Sequence, residues 1–377
     1  MGKCFFVAGE DSGDAHAAEV IREMRSLSPD VEVHGYGGSG MERAGAKIHF
    51  RLPELSSTGS DWIGKVFEFR RVGVRALELC RAHGIRTLVL VDFPGFNLRL
   101  ATAAKRAGLR VIYYIIPQVW AWRAGRLKRM KRDLDLCLVL FPFEEELLRE
   151  YGIPAQFVGH PLVDRLSNRR SHETIAEEAG LPDPEKVPLV GLLPGSRRGE
   201  VERLAPVLRD TAERLLGSNP DLHFVVPRAE TIDRELLSHS LPPSLPCSLV
   251  ENPAPDLRSV LRMAVTKSGT STLENAVLGV PQVIIYKGRS LDAWVARRVI
   301  RVQWLGLVNI LAGREICPEF LQENCVGDRI AQAARPLIGN TPERSQMLEE
   351  MALVAGSLGE GNAAEKAARA ILERIRS

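Results

Sequence analysis

Four short polar segments carry the side chains best suited to chemistry. The first, Gly9-Glu10-Asp11-Ser12-Gly13-Asp14-Ala15-His16, crowds carboxylates, a hydroxyl and an imidazole around the start of a predicted helix. Glycine permits a tight turn and a close ligand approach. Glu10 and Asp14 would repel a pyrophosphate, but carboxylates accept hydrogen bonds from sugar hydroxyls, with Ser12 and His16 beside them. Helix capping by Ser12 or Asp14 is the plainer alternative, although capping needs one such residue and not four. The second, Asp92-Phe93-Pro94-Gly95-Phe96-Asn97, follows an apolar run and turns at Pro-Gly. There Asp92 could take a proton from a substrate hydroxyl or serve only to form the turn.

The third segment, Leu193-Pro194-Gly195-Ser196-Arg197, offers backbone and hydroxyl donors from Gly195 and Ser196, and a guanidinium at Arg197 that can clamp phosphate. A surface turn is the alternative. The fourth, Lys267-Ser268-Gly269-Thr270-Ser271-Thr272-Leu273-Glu274, opens a predicted helix. Hydroxyls and free N–H groups aimed at one point make an anion cradle, and Glu274, one turn in, could take both hydroxyls of a ribose. The second half of the chain thus offers pyrophosphate and ribose contacts, and the first offers carboxylates without a phosphate loop. That division points to a nucleotide-sugar donor held by the second half and a hydroxyl acceptor by the first. No D-x-D or metal-ligand cluster is apparent, so catalysis without a metal or other cofactor is expected, with helix dipole and Arg197 carrying the phosphate charge.

The elements that must position these segments read as two successive α/β units. Apolar runs at Cys4–Ala8, Val31–Tyr36, Thr87–Val91, Arg110–Ile115 and Asp135–Leu140 suit parallel strands covered on both faces. A helix is expected from about Asp14. After a polar stretch from Arg165 to Lys186 the alternation restarts at Pro188–Leu193, Leu222–Val226, Ala264–Thr266 and Val283–Ile285. Two Rossmann-like lobes facing a cleft follow, over residues 1–165 and 187–360, with a last helix at about 363–377 that could pack on either. The four segments then fall at carboxyl ends of strands, where doubly wound sheets bind ligands.

Bulk properties agree. A chain of 377 residues with 45% hydrophobic and 26% charged residues can bury two cores. A net charge of +3 argues against a dedicated nucleic-acid binder. The six cysteines, at 4, 80, 137, 247, 317 and 325, form no C-x-x-C pair and read as buried, reduced thiols of a cytosolic enzyme. The N-terminal apolar stretch is too short for a signal peptide or membrane span.

In combination these segments resemble the lipid-A-disaccharide synthase family, inverting glycosyltransferases of the GT-B architecture. The resemblance extends through Tyr114-Ile115-Ile116-Pro117-Gln118-Val119-Trp120-Ala121-Trp122, Phe141-Pro142-Phe143-Glu144, Phe157-Val158-Gly159-His160-Pro161 and Asn309-Ile310-Leu311-Ala312-Gly313-Arg314-Glu315. It implies that UDP-2,3-diacylglucosamine is joined to 2,3-diacylglucosamine 1-phosphate, giving a β-1,6-linked disaccharide phosphate and UDP in lipid A biosynthesis. The family's essential acid falls on Asp92, its donor-phosphate arginine on Arg197 and its functional asparagine on Asn309. The acceptor side is then expected at Glu10, Ser12, Asp14, His16, Asn97 and Trp120. The chain departs from the family at the polar segment Ser56–Gly64, with Trp62 where glutamate is usual, at Gln118 and at Val308.

Acylated substrates imply contact with a bilayer from the cytoplasmic side of the inner membrane, without a span. Arg123, Arg126, Lys128, Arg129, Lys131 and Arg132 beside Trp120 and Trp122, and the stretch Leu291–Leu305, are the basic, aromatic candidates for peripheral binding. A solvated basic face is the plain alternative for both, and the arginines of the first could instead hold the acceptor phosphate. A homodimer is left open. Competing readings are another UDP-hexosamine enzyme on this scaffold, a 2-epimerase included, or a non-catalytic nucleotide-sugar sensor.

Overall fold

The computed structural model describes residues 2–53, 62–119, 125–168, 170–240, 244–288 and 303–376, with 62–67 and 239–240 described by backbone alone. Two all-parallel sheets organise the chain. The first contains β1 (Lys3–Ala8), β2 (Glu32–Tyr36), β3 (Lys47–Phe50), β4 (Thr87–Val91), β5 (Arg110–Tyr114), β6 (Leu136–Val139) and β7 (Ala155–Phe157), in the order β3-β2-β1-β4-β5-β6-β7. The second contains β8 (Leu189–Leu193), β9 (His223–Arg228), β10 (Cys247–Glu251), β11 (Met263–Lys267), β12 (Gln282–Tyr286) and β13 (Glu319–Leu321), in the order β10-β9-β8-β11-β12-β13.

Burial on both faces accounts for the continuous apolar runs. Phe5, Val7, Leu88, Leu90, Val111 and Tyr113 join a core with Val72, Ala76, Phe96, Leu100 and Ala104 of the helices Trp62–Ala82 and Pro94–Arg106. The alternate residues Cys4, Phe6, Ala8, Val89, Ile112 and Tyr114 are equally buried, as expected when side chains alternate across a sheet covered on its other face. The helix Asp11–Leu27 buries Ala17, Ala18, Val20, Ile21 and Met24, and the C-terminal helix Ala363–Arg376 packs against it.

The chain divides into two compact units, Met1–Asp164 with Leu358–Ser377, and Arg165–Ser357. The polar stretch after Asp164 is therefore part of the second unit. It carries the helix His172–Glu178, capped by the Ser171 hydroxyl, and an Arg170–Asp256 ion pair at 2.7 Å. The interior strands match their predicted runs to within about two residues. The strands not anticipated, β3, β7, β10 and β13, are the outer strands of the two sheets. The first helix begins at Asp11, earlier than expected, and its N-cap Glu10 makes no side-chain capping bond, so neither Ser12 nor Asp14 caps it. All six cysteines are free, and Cys247 alone is not fully buried. Among the described residues no helix is long and apolar enough to cross a membrane.

Candidate active site

Strand order reverses between β1 and β4 in the first sheet and between β8 and β11 in the second. Crevices at such switch points, outside the carboxyl ends of the strands, are where doubly wound sheets bind ligands. The four chemical segments leave the sheets there. Ala8 pairs with Val91, so Gly9 and Asp92 emerge side by side. Leu193 pairs with Thr266, which brings the Pro194–Arg197 and Lys267–Glu274 segments together in the same way.

In the first unit, Asp92 and Phe93 both adopt left-handed backbone, φ 45° and 49°, a costly conformation for side chains of this kind. Three bonds hold the turn. The Asp92 N–H donates to the Tyr114 carbonyl at 3.0 Å. The Asp92 carbonyl accepts from the Asn97 amide at 2.7 Å and from the Tyr113 hydroxyl at 2.6 Å. Asn97 is fully buried and also donates toward the Val91 carbonyl at 3.2 Å; its amide is a clamp on the turn. The Phe93 ring lies over Gly9, where a β-carbon would come within 2.2 Å of it. The two loops are thereby packed as one piece. The Asp92 carboxyl takes no part in these three bonds. Burial raises its pKa, opposed by a hydrogen bond from the Phe93 backbone and by the nearby His16.

The remaining acidic and polar residues of the first loop differ sharply. Glu10 and Ser12 are exposed and His16 is half-buried, with Nδ1 3.7 Å from Glu19. Asp14 is buried, and its carboxylate accepts from the backbone N–H groups of Gly38 at 2.6 Å, Gly40 at 2.8 Å and Met41 at 3.2 Å. Both oxygens are occupied in tying the loop after β2 to the first helix, and a β-carbon at Gly40 would lie 2.6 Å from one of them. Beside the Asp92 turn opens a cavity of about 610 Å³ lined by Phe69, Gly73, Leu77, Phe93, Phe96 and Leu100, with Arg70, Arg99 and Arg106 at its edge. A second cavity, about 360 Å³, meets the turn at Pro94 and Gly95 and is lined by Arg99, Arg126 and Arg129. Trp120, Trp122 and Arg123, with most of Leu291–Leu305, lie outside the described residues.

In the second unit Gly195 takes φ 103°, open to glycine alone at low cost, and Arg197 extends into solvent with its side chain 83% exposed. The hydroxyls of the fourth segment split into two pairs. Ser268 donates to the Leu305 carbonyl at 2.7 Å and Thr272 to the Gly269 carbonyl at 2.8 Å. Thr270 is exposed, whereas Ser271, at the start of the helix Ser271–Leu278, is half-buried and its hydroxyl accepts from the Arg258 guanidinium at 3.4 Å. Glu274 is ion-paired through one oxygen to Arg165 and through the other to Arg258. The expected pairing of Glu274 with a ribose would share the carboxylate with these two arginines.

Asn309 is fully buried. Its amide donates to the Cys317 carbonyl at 2.7 Å and to Glu319 at 2.8 Å, and its oxygen accepts from the N–H groups of Ile316 and Cys317, both at 2.9 Å. That exhausts two donors and two acceptor positions. In this arrangement no hydrogen-bonding capacity of the Asn309 side chain is left over for a further partner.

Comparison with known proteins bears on what this arrangement serves. Solved structures with the same two-lobed fold include the UDP-GlcNAc 2-epimerase from Neisseria meningitidis bound to UDP-GlcNAc, with a TM-score of 0.65 at 14% identity over 98% of this chain and 100% of that one. The glycotransferase of kitacinnamycin aligns with a TM-score of 0.62 at 16% identity, over 99% of both chains. At these identities the likeness shows the GT-B fold alone. A lipid-A-disaccharide synthase from Myxococcus xanthus is 37% identical over 98% of this chain and 96% of its own length. One from Geobacter sulfurreducens is 36% identical over 99% and 97%. The family model for lipid-A-disaccharide synthetase matches residues 4–371. The chain belongs to the lipid-A-disaccharide synthase family. As a member of that family it is a hexosyltransferase, and membership disfavours the epimerase and sensor alternatives.

Several charged residues of this synthase fold escape motif reading. Glu200 stands against Gly195, where a β-carbon would come within 2.6 Å of its carboxylate. It pairs with Lys267 at 3.0 Å, and Lys267 lies 6.0 Å above the Tyr286 ring. A carboxylate therefore sits beside each of these two loops, Glu200 and Glu274, and each is matched by cations. Glu319 accepts from the N–H groups of Leu305 and Gly306, both at 2.9 Å, as well as from Asn309. Together with Ser268 it fixes the segment preceding the helix Leu307–Ala312 against the Lys267–Glu274 loop. Lys267 and Glu200 could have been suspected from their distance to the glycines; Arg165, Arg258 and Glu319 gave no local signal.

Proposed function

We propose that this enzyme transfers the 2,3-diacylglucosaminyl group of UDP-2,3-diacylglucosamine to the 6-hydroxyl of 2,3-diacylglucosamine 1-phosphate, releasing UDP and forming the β-1,6-linked disaccharide phosphate of lipid A biosynthesis. The observation that carries this reading is the Asp92 turn. A carboxyl group stands on a thrice-bonded, left-handed turn at a switch point, and a largely apolar cavity and an arginine-lined one both meet the residues of that turn. Asp92 is read as the base that takes the proton of the acceptor hydroxyl as the bond to the anomeric carbon forms and the bond to UDP breaks. The aromatic cavity suits an acyl chain, and Arg99, Arg126 and Arg129 suit the acceptor 1-phosphate. Glu10, Ser12 and His16 are read as the contacts for sugar hydroxyls, with Asp14 and Asn97 holding the loops.

On the donor side, Arg197, Lys267 and the backbone N–H groups at Thr270 and Ser271 are read as stabilising the departing UDP. The exposed cations of the helix Gly125–Asp133, with Leu127 and Met130 buried beneath, suit peripheral attachment to an anionic bilayer at the cytoplasmic face of the inner membrane. Mass spectrometry of the product made from both acylated substrates tests the reading. Asp92→Asn is expected to lower kcat by about 10²–10⁴-fold, the usual worth of a positioned base, with UDP affinity nearly intact. Turnover is expected to survive EDTA. Wild-type kcat in Asp92→Asn, with loss in Glu10→Gln, would move the base to the first loop.

A further inference from the structure

His34, His49 and His83 are far apart in sequence and meet on the outer edge of the first sheet. His34 projects from β2, His49 from the neighbouring β3, and His83 follows the helix Trp62–Ala82. One nitrogen of each ring lies within 4.8 Å of those of the other two. The place is remote in the topology from the switch-point loops, since His83 precedes the start of β4 and Asp92 follows its end. These residues share no spacing motif in the sequence; the cluster exists only once the strands pair.

We propose that His34, His49 and His83 form a binding site for one divalent transition-metal ion, with zinc as the fitting occupant, that staples the outer strand β3 to β2 and to the end of the helix. Three neutral imidazoles make a donor set that zinc accepts, with a fourth position open to water. Ring geometry fits. The centroids are 5.2 Å apart for His34–His49, 4.6 Å for His34–His83 and 5.6 Å for His49–His83. Imidazoles around a tetrahedral ion, with metal–nitrogen bonds of about 2.0–2.1 Å, place their centroids about 5 Å apart. The His34 Nδ1 and His49 Nε2 atoms face each other at 2.9 Å, and a small separation would admit the ion between them.

The surroundings also match. His34 is almost fully buried, and its second nitrogen, Nε2, points to the Glu32 carboxylate at 3.5 Å. Glu32 is itself paired with Lys3 at 3.2 Å. A ligating histidine that gives its other N–H to a carboxylate is the usual outer-shell arrangement, which fixes the tautomer and raises ligand basicity.

The test uses the full chain, stripped with EDTA and desalted, then titrated with zinc by calorimetry and with cobalt by visible absorption. One ion per chain is expected, with a tetrahedral cobalt spectrum and a zinc-dependent rise in Tm. His49 and His83 are exposed, so His49→Ala, His83→Ala and the double variant should fold, as circular dichroism would verify. Each single change should weaken zinc binding by at least 10–100-fold, a range known for loss of even an outer-shell partner, and abolish the Tm rise. Turnover of both substrates should stay at the wild-type level in all three. Failure of the wild type to bind zinc, or unchanged stoichiometry and affinity in the double variant, would reduce the cluster to a hydrogen-bonded stack of imidazoles.

Discussion

At Asp92 burial works against ionisation, and this has consequences for both rate and stability. The proposed base must be ionised to act, so kcat/KM should fall with decreasing pH through a value above that of an ordinary aspartate. For stability the sign is opposite to that of an ion-paired acid. A raised pKa favours folding below the pKa of the unfolded chain, and that contribution is lost as pH rises through the folded value. Asp92→Asn is therefore expected to melt at or above the wild-type temperature at neutral pH, with the difference shrinking in acid, as a pH series of thermal melts would reveal. Asp14 is the contrasting case. Its carboxylate holds three backbone N–H groups, and charged hydrogen bonds contribute about 1.5–3 kcal/mol each at most. Asp14→Ala should cost about 3 kcal/mol of stability by denaturant titration, and any loss of turnover should track the unfolded fraction. An acceptor-binding Asp14 would instead lose affinity while the fold stayed intact. Sequence alone treats these two aspartates alike, because the partners of Asp14 lie more than twenty residues away, beyond β2.

At the scale of elements, strand ends were legible wherever a strand is interior to its sheet. Thr87–Val91 and Leu189–Leu193 are covered on both faces and read as unbroken apolar runs. The outer strands are half-exposed: Lys47–Phe50 alternates charge with apolar residues, and Ala155–Phe157 and Glu319–Leu321 are only three residues long. Short polar edges protect a sheet from pairing with another chain, and the same features erase the strand signal. Missing β13 also hid Glu319, and with it the reason for Asn309. The two side chains join the end of β13 to the helix Leu307–Ala312 and, through Leu305, to Ser268 of the Lys267–Glu274 loop. Asn309→Ala would leave two N–H groups, a carbonyl and part of a buried carboxylate without partners, at a cost of about 3 kcal/mol or more. The expected outcome is a lowered Tm with a raised KM for the UDP donor and a smaller change in kcat. An unchanged Tm and donor KM with a collapse of kcat would instead mean that Asn309 takes part directly in the reaction.

On the scale of the whole molecule, the chain starts and finishes in the same unit. The last helix buries Ala363, Ala367, Ala368, Ala370, Ile371 and Leu372, largely against the first helix. Its start is tied by Asp164, whose two oxygens accept from the N–H groups of Asn362 at 2.5 Å and Ala363 at 2.9 Å. The His160 N–H donates to the Leu358 carbonyl at 2.9 Å, and Gly159 and Gly359 approach so closely that a β-carbon on Gly359 would stand 3.2 Å from the Gly159 backbone. From sequence the last helix could have packed on either lobe, since an amphipathic face does not name its partner. Deleting Leu358–Ser377 would expose the buried face of the first helix. Burying Ile371 and Leu372 alone contributes about 3–6 kcal/mol, a large part of the 5–15 kcal/mol typical of a folded domain. The second unit loses none of its own chain. Calorimetry of the truncated protein should therefore show the melting of the first unit lowered or missing, while UDP still raises the Tm of the second and binds with near wild-type affinity. Transferase activity should vanish, because Asp92 belongs to the unit that unfolds. Supplying residues 358–377 as a separate peptide should restore the first transition in a concentration-dependent manner. Loss of UDP binding on truncation would contradict the assignment of the nucleotide to the second unit.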